Sequence, residues 1–226
     1  EGLPHITIIS PGFNCESHVR YWYNSLRVQS YTNWTAVAID DASDDNTWNT
    51  LLKYSEADSR VKLIHNDTHH YQLGNWYECI SVLDPNELVI RLDLDDFLGN
   101  KYILEQIIKE NLYRDARVFT ITEFAMSHYF QDNSSQRWYW KEPRELLMTT
   151  EFGDSLFCFQ AKYFQAIPKE HFLDDNGNYF TCSGDVAITG PIIYQAWNYK
   201  HHLYIDNALM RSEERRVGKE CRSRWS

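Results

Sequence analysis

The 226-residue sequence has no long apolar run, no excess of basic residues and no signal peptide at its start. No apolar stretch approaches the roughly 20 residues that a membrane-spanning helix needs, which predicts that the chain has no integral membrane segment. The formal net charge of −10 argues against a nucleic-acid partner, because proteins that bind nucleic acids present a basic face. We therefore expect a cytoplasmic protein, with peripheral attachment to a membrane left open.

The five cysteines lack the spacing of a metal site or a redox motif. None belongs to a CxxC pair, and none has histidine partners at the distance typical of zinc fingers. Buried free thiols in a reducing compartment are the expected state. The length suits one large domain, and aromatic residues, at 15% of the chain, are abundant enough to fill its core.

The last sixteen residues, 211–226, differ sharply from the rest of the chain. They carry six basic and three acidic residues and show neither a helical nor a strand period of apolar positions. A basic tail is usually a disordered interaction arm. This one resembles the translation of a sequencing-library adapter, since the codons AGA-TCG-GAA-GAG would encode its opening Arg-Ser-Glu-Glu. We predict that residues 211–226 are non-native and that the natural gene continues past Met210 with unrelated sequence.

Short β-branched runs alternate with helical patterns over the first half of the chain. One helical pattern begins at Val19, with apolar residues again at positions 22, 23 and 26. Strands and helices that alternate in this way predict βαβ units and a mainly parallel sheet flanked by helices, an α/β fold. Beyond about residue 115 the pattern loosens. The predicted strands cover residues 6–9, 36–39, 61–64, 88–92 and 118–121, and further helices are predicted around 48–52, 73–80, 104–112 and 188–197.

Three carboxylates, Asp93, Asp95 and Asp96, crowd into four positions directly after the predicted fourth strand. Like charges this close repel one another, and a divalent cation removes the penalty. Hard oxygen ligands suit Mg²⁺ or Mn²⁺. A solvated acidic loop is the structural alternative.

Two other strand ends carry residues that suit a ligand site. Pro11-Gly12 follows the first strand and Asp40-Asp41 the second, while the acidic group of residues 93–96 follows the fourth. Ligands of open α/β sheets bind beyond the carboxyl ends of the strands. We therefore expect these segments to converge on one crevice.

These motifs, in this order and spacing, resemble a family-2 glycosyltransferase of the GT-A fold, and the resemblance covers most of residues 5–209. Segment 6–14 (ITIISPGFN) carries its first element, and segment 39–45 (IDDASDD) matches its Asp-Asp-Gly-Ser-x-Asp motif. Segment 92–96 (LDLDD) matches its DxD signature. The chain departs from the pattern at Leu94, where the family has a small residue, and at Asn100, where it usually has proline.

The resemblance implies roles for the donor-side residues. Asp41 matches the aspartate that accepts a hydrogen bond from the nucleotide base, which favours a UDP-sugar, and Pro11 shapes the loop near the base. Asn75 lies near a nucleotide contact, although helix capping is an equal alternative. Asp40 and Asp41 could likewise cap the next helix, where Ser43 and Asp44 are better placed.

The metal and acceptor sides follow from the same resemblance. Asp95 is the expected direct ligand of Mn²⁺ or Mg²⁺, Asp93 faces the ribose or a metal-bound water, and Asp96 supports either. Asp185 matches the catalytic base at a helix start, with Gly184 where Glu or Asp often stands. As an alternative, Asp185 is an ordinary first-turn helix residue stabilised by the helix dipole.

The implied function is metal-dependent, inverting transfer of a sugar from a nucleotide-sugar donor to a hydroxyl acceptor. The acceptor would be a glycan, a lipid-linked molecule or a protein, as in polysaccharide biosynthesis. Residues 1–115 would bind the donor, and residues 116–210 would form the acceptor-side half of the same domain. The alternative is a non-catalytic carbohydrate- or nucleotide-binding scaffold on a decayed fold. A nucleotidyltransferase is disfavoured because segment 10–14 has one glycine and no basic residue.

Overall fold

The computed structural model of the protein describes residues 2–114, 117–122, 156–182, 184–198, 202–206 and 210–212. Strands and helices alternate through the first of these ranges, as the sequence pattern predicts. The strands are β1 (Ile6–Gly12), β2 (Trp34–Asp40), β3 (Val61–His65), β4 (Leu88–Arg91), β5 (Asp96–Leu98), β6 (Val118–Thr122), β7 (Leu156–Gln160), β8 (His202–Asp206) and β9 (Met210–Ser212).

Six α-helices and one 3₁₀ turn are formed by the described residues. The first four follow β1, β2, β3 and β5. The fifth is a short helix directly after β7, and the sixth contains Pro191 in its interior. The helices are α1 (Val19–Arg27), α2 (Thr47–Ala57), α3 (Tyr71–Ile80), α4 (Ile103–Arg114), α5 (Ala161–Gln165) and α6 (Gly184–Asn198), and the 3₁₀ turn is Lys169–Phe172.

Seven strands form one sheet in the order β3-β2-β1-β4-β7-β6-β8. The pairs β1–β2, β1–β4, β2–β3 and β6–β8 are parallel, and β7 runs antiparallel to both of its neighbours. The predicted α/β fold with a mainly parallel sheet is therefore confirmed. Strands β5, β7, β8 and β9 were missed, although β7 contains the apolar run Leu156-Phe157-Cys158-Phe159.

The two faces of the sheet carry separate cores. Successive β1 residues point to opposite faces of the sheet, as the two-residue period of a strand requires. Ile8 packs with α1, α2 and α4 on one face, whereas Ile9 packs with α3, α5 and α6 on the other. The largest fully buried side chains include Trp22, Trp34, Trp76, Phe157 and Phe159. Each parallel strand is thus held between helices, and its carboxyl end reaches one shared edge.

Predictions about the cysteines, the tail and the membrane have mixed outcomes. Cys15 and Cys158 are buried free thiols as expected, Cys79 is half-buried and Cys182 is exposed. Two residues of the predicted non-native tail lie in β9, which pairs with β5, and residues 213–226 lie outside the described ranges. Within the described residues, none of the helices combines the length and apolar character that a membrane crossing requires.

Candidate functional site

The end of β1 joins the two acidic segments. The backbone N–H of Asp41 donates to the Gly12 carbonyl at 2.9 Å, and the N–H of Leu94 donates to the Pro11 carbonyl at 3.1 Å. Pro11 and Gly12 are consecutive, so the segments that follow β2 and β4 are fixed side by side. The expected convergence of three strand ends is therefore present, and Pro11, which is buried, contributes through its backbone.

Gly12 leaves room for a large side chain within the DxD segment. A Cβ atom at position 12 would lie 2.6 Å from Leu94 Cβ, closer than such atoms approach in folded proteins, and a tight 3.0 Å from Cys15 Sγ. Leu94 itself is fully buried. The absence of a side chain at Gly12 thus compensates for the leucine that stands where the family has a small residue.

Asp41 is fully buried, and its carboxylate accepts four hydrogen bonds. Oδ1 accepts from Asn66 Nδ2 at 2.7 Å and from the His70 N–H at 2.9 Å. Oδ2 bonds His69 Nδ1 at 2.9 Å and accepts from the Tyr71 N–H at 3.0 Å. Both lone pairs of each oxygen are therefore engaged. An incoming base N–H would have to replace one donor, and the His69 side chain, 31% exposed, is the one that reaches the surface.

Opposing effects set the pKa of Asp41. Burial alone raises it, because an ionised carboxylate loses its water. The polar groups around the carboxylate outweigh burial and hold the pKa below its ordinary value of 3.8. These groups are the side chains of Asn75, His69 and Asn66 and the backbone N–H of His70. Asp41 is consequently an ionised acceptor at neutral pH.

Asn75 supports this network from the second turn of α3. Its Nδ2 donates to the Tyr71 carbonyl at 2.7 Å, and its Oδ1 accepts from Asn66 Nδ2 at 2.7 Å. It is 2% exposed. Since α3 begins at Tyr71, the capping alternative for Asn75 is wrong. The structure places Asn75 behind Asp41, where it fixes the Asn66 amide.

The capping alternative for Asp40 and Asp41 is also wrong. Helix α2 begins only at Thr47, whose N–H donates to Asp45 Oδ1 at 2.9 Å. Fully buried Asp40 instead bonds His65 Nδ1 at 2.9 Å. Asp45, rather than the expected Ser43 or Asp44, serves the start of this helix.

Among the residues that the structure describes, three that are not glycine have positive φ angles, and all three border the same edge of the sheet. They are Asn14 at 54°, Ala42 at 63° and Tyr71 at 57°. This region of backbone conformation disfavours side chains that carry a Cβ. Ala42 follows Asp41 directly and stands where the family motif has glycine, so its φ angle explains that preference. Strained backbone of this kind clusters at functional sites.

The DxD carboxylates lie on a turn at the carboxyl end of β4. Asp93, Asp95 and Asp96 are half-buried, and the Asp96 N–H donates to the Asp93 carbonyl at 3.0 Å. Asp93 Oδ2 accepts a short hydrogen bond from Gln72 Nε2. Asp96 begins β5. The three carboxylates are thus held at the shared edge, next to the segment that contains Asp41.

Asp185 is the second residue of α6, and the start of that helix lies against α3. A Cβ at Gly184 would be 3.3 Å from Leu73 Cβ and 3.4 Å from Gln72 Oε1. The side chain that the family often carries at this position would therefore press on α3. Because Gln72 also bonds Asp93, the backbone of α6 begins beside the DxD segment.

An aromatic surface borders Asp41. The rings of Phe13 and His69 meet edge to face with centroids 4.2 Å apart, and His69 stacks on Tyr71 at 5.4 Å. Planar bases bind well beside such rings.

Sequence reasoning missed His69, Asn66 and Gln72. The available signal was the polar segment after β3, whose carboxyl end reaches the same edge as β1 and β2.

The carboxylates of the DxD segment suit a hard divalent cation that also keeps ligands from outside the protein, such as water. No group of three or more His, Cys, Asp and Glu side chains converges among the residues that the structure describes. Mg²⁺ commonly binds one or two carboxylates and completes its shell with water and substrate phosphates. The half-buried Asp93 and Asp95 suit that arrangement.

Comparisons with known proteins give a family match and several relatives. A family model described as glycosyl transferase family 2 matches residues 7–164, more than half of the chain. Over 110 residues the chain is 39% identical to WfgD of Escherichia coli, named a UDP-Glc:alpha-D-GlcNAc-diphosphoundecaprenol beta-1,3-glucosyltransferase, covering 47% of this chain and 42% of WfgD. It is 30% identical over 105 residues to the putative glycosyltransferase EpsE of Bacillus subtilis, covering 46% and 37%. The aligned parts thus span about two fifths of these relatives.

Solved structures share the fold at low sequence identity. TarS of S. aureus, residues 1–349 in complex with UDP, has a TM-score of 0.60 and 16% identity, covering 91% of this chain and 59% of that one. The mannosyltransferase PcManGT of Pyrobaculum calidifontis, in complex with GDP-Man and Mn²⁺, has a TM-score of 0.58 and 15% identity, covering 91% and 55%. These likenesses establish the architecture of the sheet.

Proposed function

Because the chain belongs to glycosyl transferase family 2, we propose that it transfers a sugar from a nucleoside-diphosphate sugar to a hydroxyl acceptor. The observation that carries the proposal is the pair of backbone hydrogen bonds at the end of β1. These bonds hold the segments of Asp41 and Asp95 against consecutive residues, Pro11 and Gly12. One crevice thereby offers both a base-reading carboxylate and metal-binding carboxylates.

We propose that the base is uracil and that Asp41 reads it. An ionised carboxylate accepts the imino N–H of uracil, and the hydrogen-bonding groups around Asp41 keep it ionised. The base displaces the half-exposed His69 ring from Oδ2 and lies beside Phe13. Asn66 and Asn75 stay behind the carboxylate and preserve its orientation.

Asp95 and Asp93 would hold Mn²⁺ or Mg²⁺, with Asp96 in support. When bound, the cation neutralises charge on the departing diphosphate. Gln72 donates to Asp93 Oδ2 and so orients that carboxylate toward the site. The mannosyltransferase with Mn²⁺ supports a divalent ion in this fold, and the acidic pair of this chain suits either metal.

Asp185 is the proposed general base. It would take the proton from the acceptor hydroxyl as the hydroxyl oxygen attacks the anomeric carbon and the bond to the diphosphate breaks. A single in-line displacement inverts the configuration. The start of α6 beside Gln72 and Leu73 supports this role, because it brings the helix to the donor side of the crevice.

We propose that the acceptor is a hydroxyl of a lipid-linked glycan. This choice is preferred to a free glycan or a protein. The name of WfgD describes an undecaprenol-linked acceptor, which supports this choice. A lipid-linked acceptor agrees with a protein on the cytoplasmic side of a membrane, held there peripherally. We expect residues 116–210 to contribute the acceptor side of the site.

A nucleotide-binding scaffold without turnover is the second candidate. The observation that favours it is that four hydrogen bonds from within the protein give the Asp41 carboxylate a complete structural role, which requires no turnover. Turnover distinguishes the two functions. Release of UDP from UDP-sugars supports the enzyme, whereas cation-dependent UDP binding without any release supports the scaffold.

The decisive experiment combines binding and turnover in three proteins. Wild type is screened by thermal shift against nucleotide sugars with Mn²⁺, and nucleoside diphosphate release is then measured with the best donor. Asp95→Asn should abolish the Mn²⁺-dependent shift and the release. Asp84→Asn is the matched control, because exposed Asp84 precedes β4 whereas Asp95 follows it. Undiminished release in Asp95→Asn would overturn the proposed mechanism.

A further inference from the structure

Gln72 links the donor carboxylate Asp93 to the helix that carries the proposed base. Its Nε2 donates to Asp93 Oδ2, and its Oε1 lies 3.4 Å from where a Cβ of Gly184 would be. Gln72 is the second residue of α3, at the end that faces the site. One side chain therefore bonds the DxD segment and lies beside the start of α6.

The hydrogen bond has consequences for Asp93. A neutral amide donor fixes the rotamer of a carboxylate without adding a charge that would repel a cation. Partners that orient a ligand side chain in this way commonly change metal affinity when they are removed. Lysine or arginine in the same place would neutralise the acidic site instead.

Packing determines which way the amide points. Gly184 is buried against Leu73 and the Gln72 oxygen, so the oxygen faces α6 and the NH₂ group faces Asp93. A Cβ at position 184 would press on Leu73 Cβ at 3.3 Å, whereas its distance of 3.4 Å from the amide oxygen would be an ordinary contact. The glycine thus allows close approach of α6 to α3 beside the glutamine.

We propose that Gln72 is a positioning residue that presents Asp93 to the cation and nucleotide. The proposal rests on the proposed function. It predicts that loss of the Gln72 donor weakens the cation-dependent part of nucleotide binding while leaving the folded state intact, because the side chain is only half-buried.

The test is calorimetric titration of UDP with Mn²⁺ and with a chelator, on the full chain. Gln72→Met keeps the length of the side chain and removes its donor. We expect the Mn²⁺-dependent affinity for UDP to fall about 10- to 100-fold, as for other residues that orient metal ligands. Gln72→Asn, whose amide is too short to reach Asp93, should lose a similar factor.

Gln165→Met is the matched control. Gln165 Nε2 donates to the carbonyls of Ile80, the last residue of α3, and of Leu83 just beyond it, at the end of α3 opposite Gln72. Its loss removes comparable hydrogen bonds without touching Asp93. We expect the stability of the Gln165→Met variant to fall, while its Mn²⁺-dependent affinity for UDP stays at the wild-type value.

A double-mutant cycle separates positioning from a general structural effect. If Gln72 acts through Asp93, adding Gln72→Met to Asp93→Asn should lower the Mn²⁺-dependent affinity for UDP by less than about twofold further. The proposal would be overturned if the two substitutions had additive effects on the affinity for UDP, or if Gln72→Met alone kept the wild-type affinity. Either result would leave the proposed function standing. If wild type binds no nucleotide with any cation, the proposed function itself fails, and the role of Gln72 fails with it.

Discussion

Gly12 and Leu94 meet so closely that a single added carbon at position 12 would lie 2.6 Å from Leu94 Cβ. Each residue belongs to a different strand end, and each is next to a proposed ligand segment. The contact therefore couples the fold of the β1 end to the position of the DxD carboxylates. It also accounts for a leucine at a place where a small residue is usual.

Gly12→Ala should destabilise the protein by about 1–3 kcal/mol, because overpacking forces Leu94 or the backbone to move. The movement should also weaken Mn²⁺-dependent nucleotide binding. Urea unfolding and calorimetry measure the two effects. Gly2→Ala is the control, since a Cβ at Gly2 would meet nothing within 4 Å. Equal stabilities of the two variants would contradict the close contact.

Ala42→Gly should stabilise the protein by about 0.5–1 kcal/mol. Relief of the 63° φ angle is worth about 1–2 kcal/mol, and the extra entropy of glycine in the unfolded chain subtracts part of it. Ala57→Gly, at the helical end of α2, should have the opposite sign. Urea unfolding compares the two, and a destabilising Ala42→Gly would show that the backbone there is not strained.

Asp41→Asn should lower the free energy of unfolding by about 1–3 kcal/mol at neutral pH, because the amide NH₂ group would face groups that themselves donate hydrogen bonds. The folded pKa of Asp41 is lowered, so its contribution to stability is complete above the ordinary value of 3.8. The contribution is lost as the pH falls through the lowered folded pKa. The stability gap between wild type and Asp41→Asn should therefore narrow below about pH 4. Unfolding measured from pH 2 to pH 7 checks this, and a gap that widens in acid would contradict it.

Asp185→Asn should lower kcat by about 10²–10⁴-fold, because general base catalysis contributes a factor of that size. Affinity for UDP with Mn²⁺ should stay at the wild-type value, since the residue acts on the acceptor. Steady-state kinetics with a glycan acceptor, together with calorimetry, separate these effects. A variant that keeps full kcat would remove Asp185 from the mechanism.

The first half of the fold was predictable because its signals are local. The apolar spacing from Val19 to Leu26 and the β-branched runs near Ile8 and Ile39 determine amphipathic helices and buried strands. Acidic residues at strand ends indicated the crevice by the general rule for parallel sheets. The run Leu156–Phe159 of β7 was a local strand signal that went unused, whereas its antiparallel pairing with β4 joins segments distant in sequence and leaves no local signal.

The sequence by itself determined which elements form and which chemistry each strand end carries, because side-chain periodicity and carboxylate placement are properties of short segments. Only the tertiary structure decided how these groups are used. Asp41 became a buried acceptor through donors from the segment after β3, and Asn75 became its support rather than a helix cap. Gln72 came to touch Asp93 because α3 packs between the sheet and α6. Such contacts join residues that are far apart along the chain, and packing alone selects them.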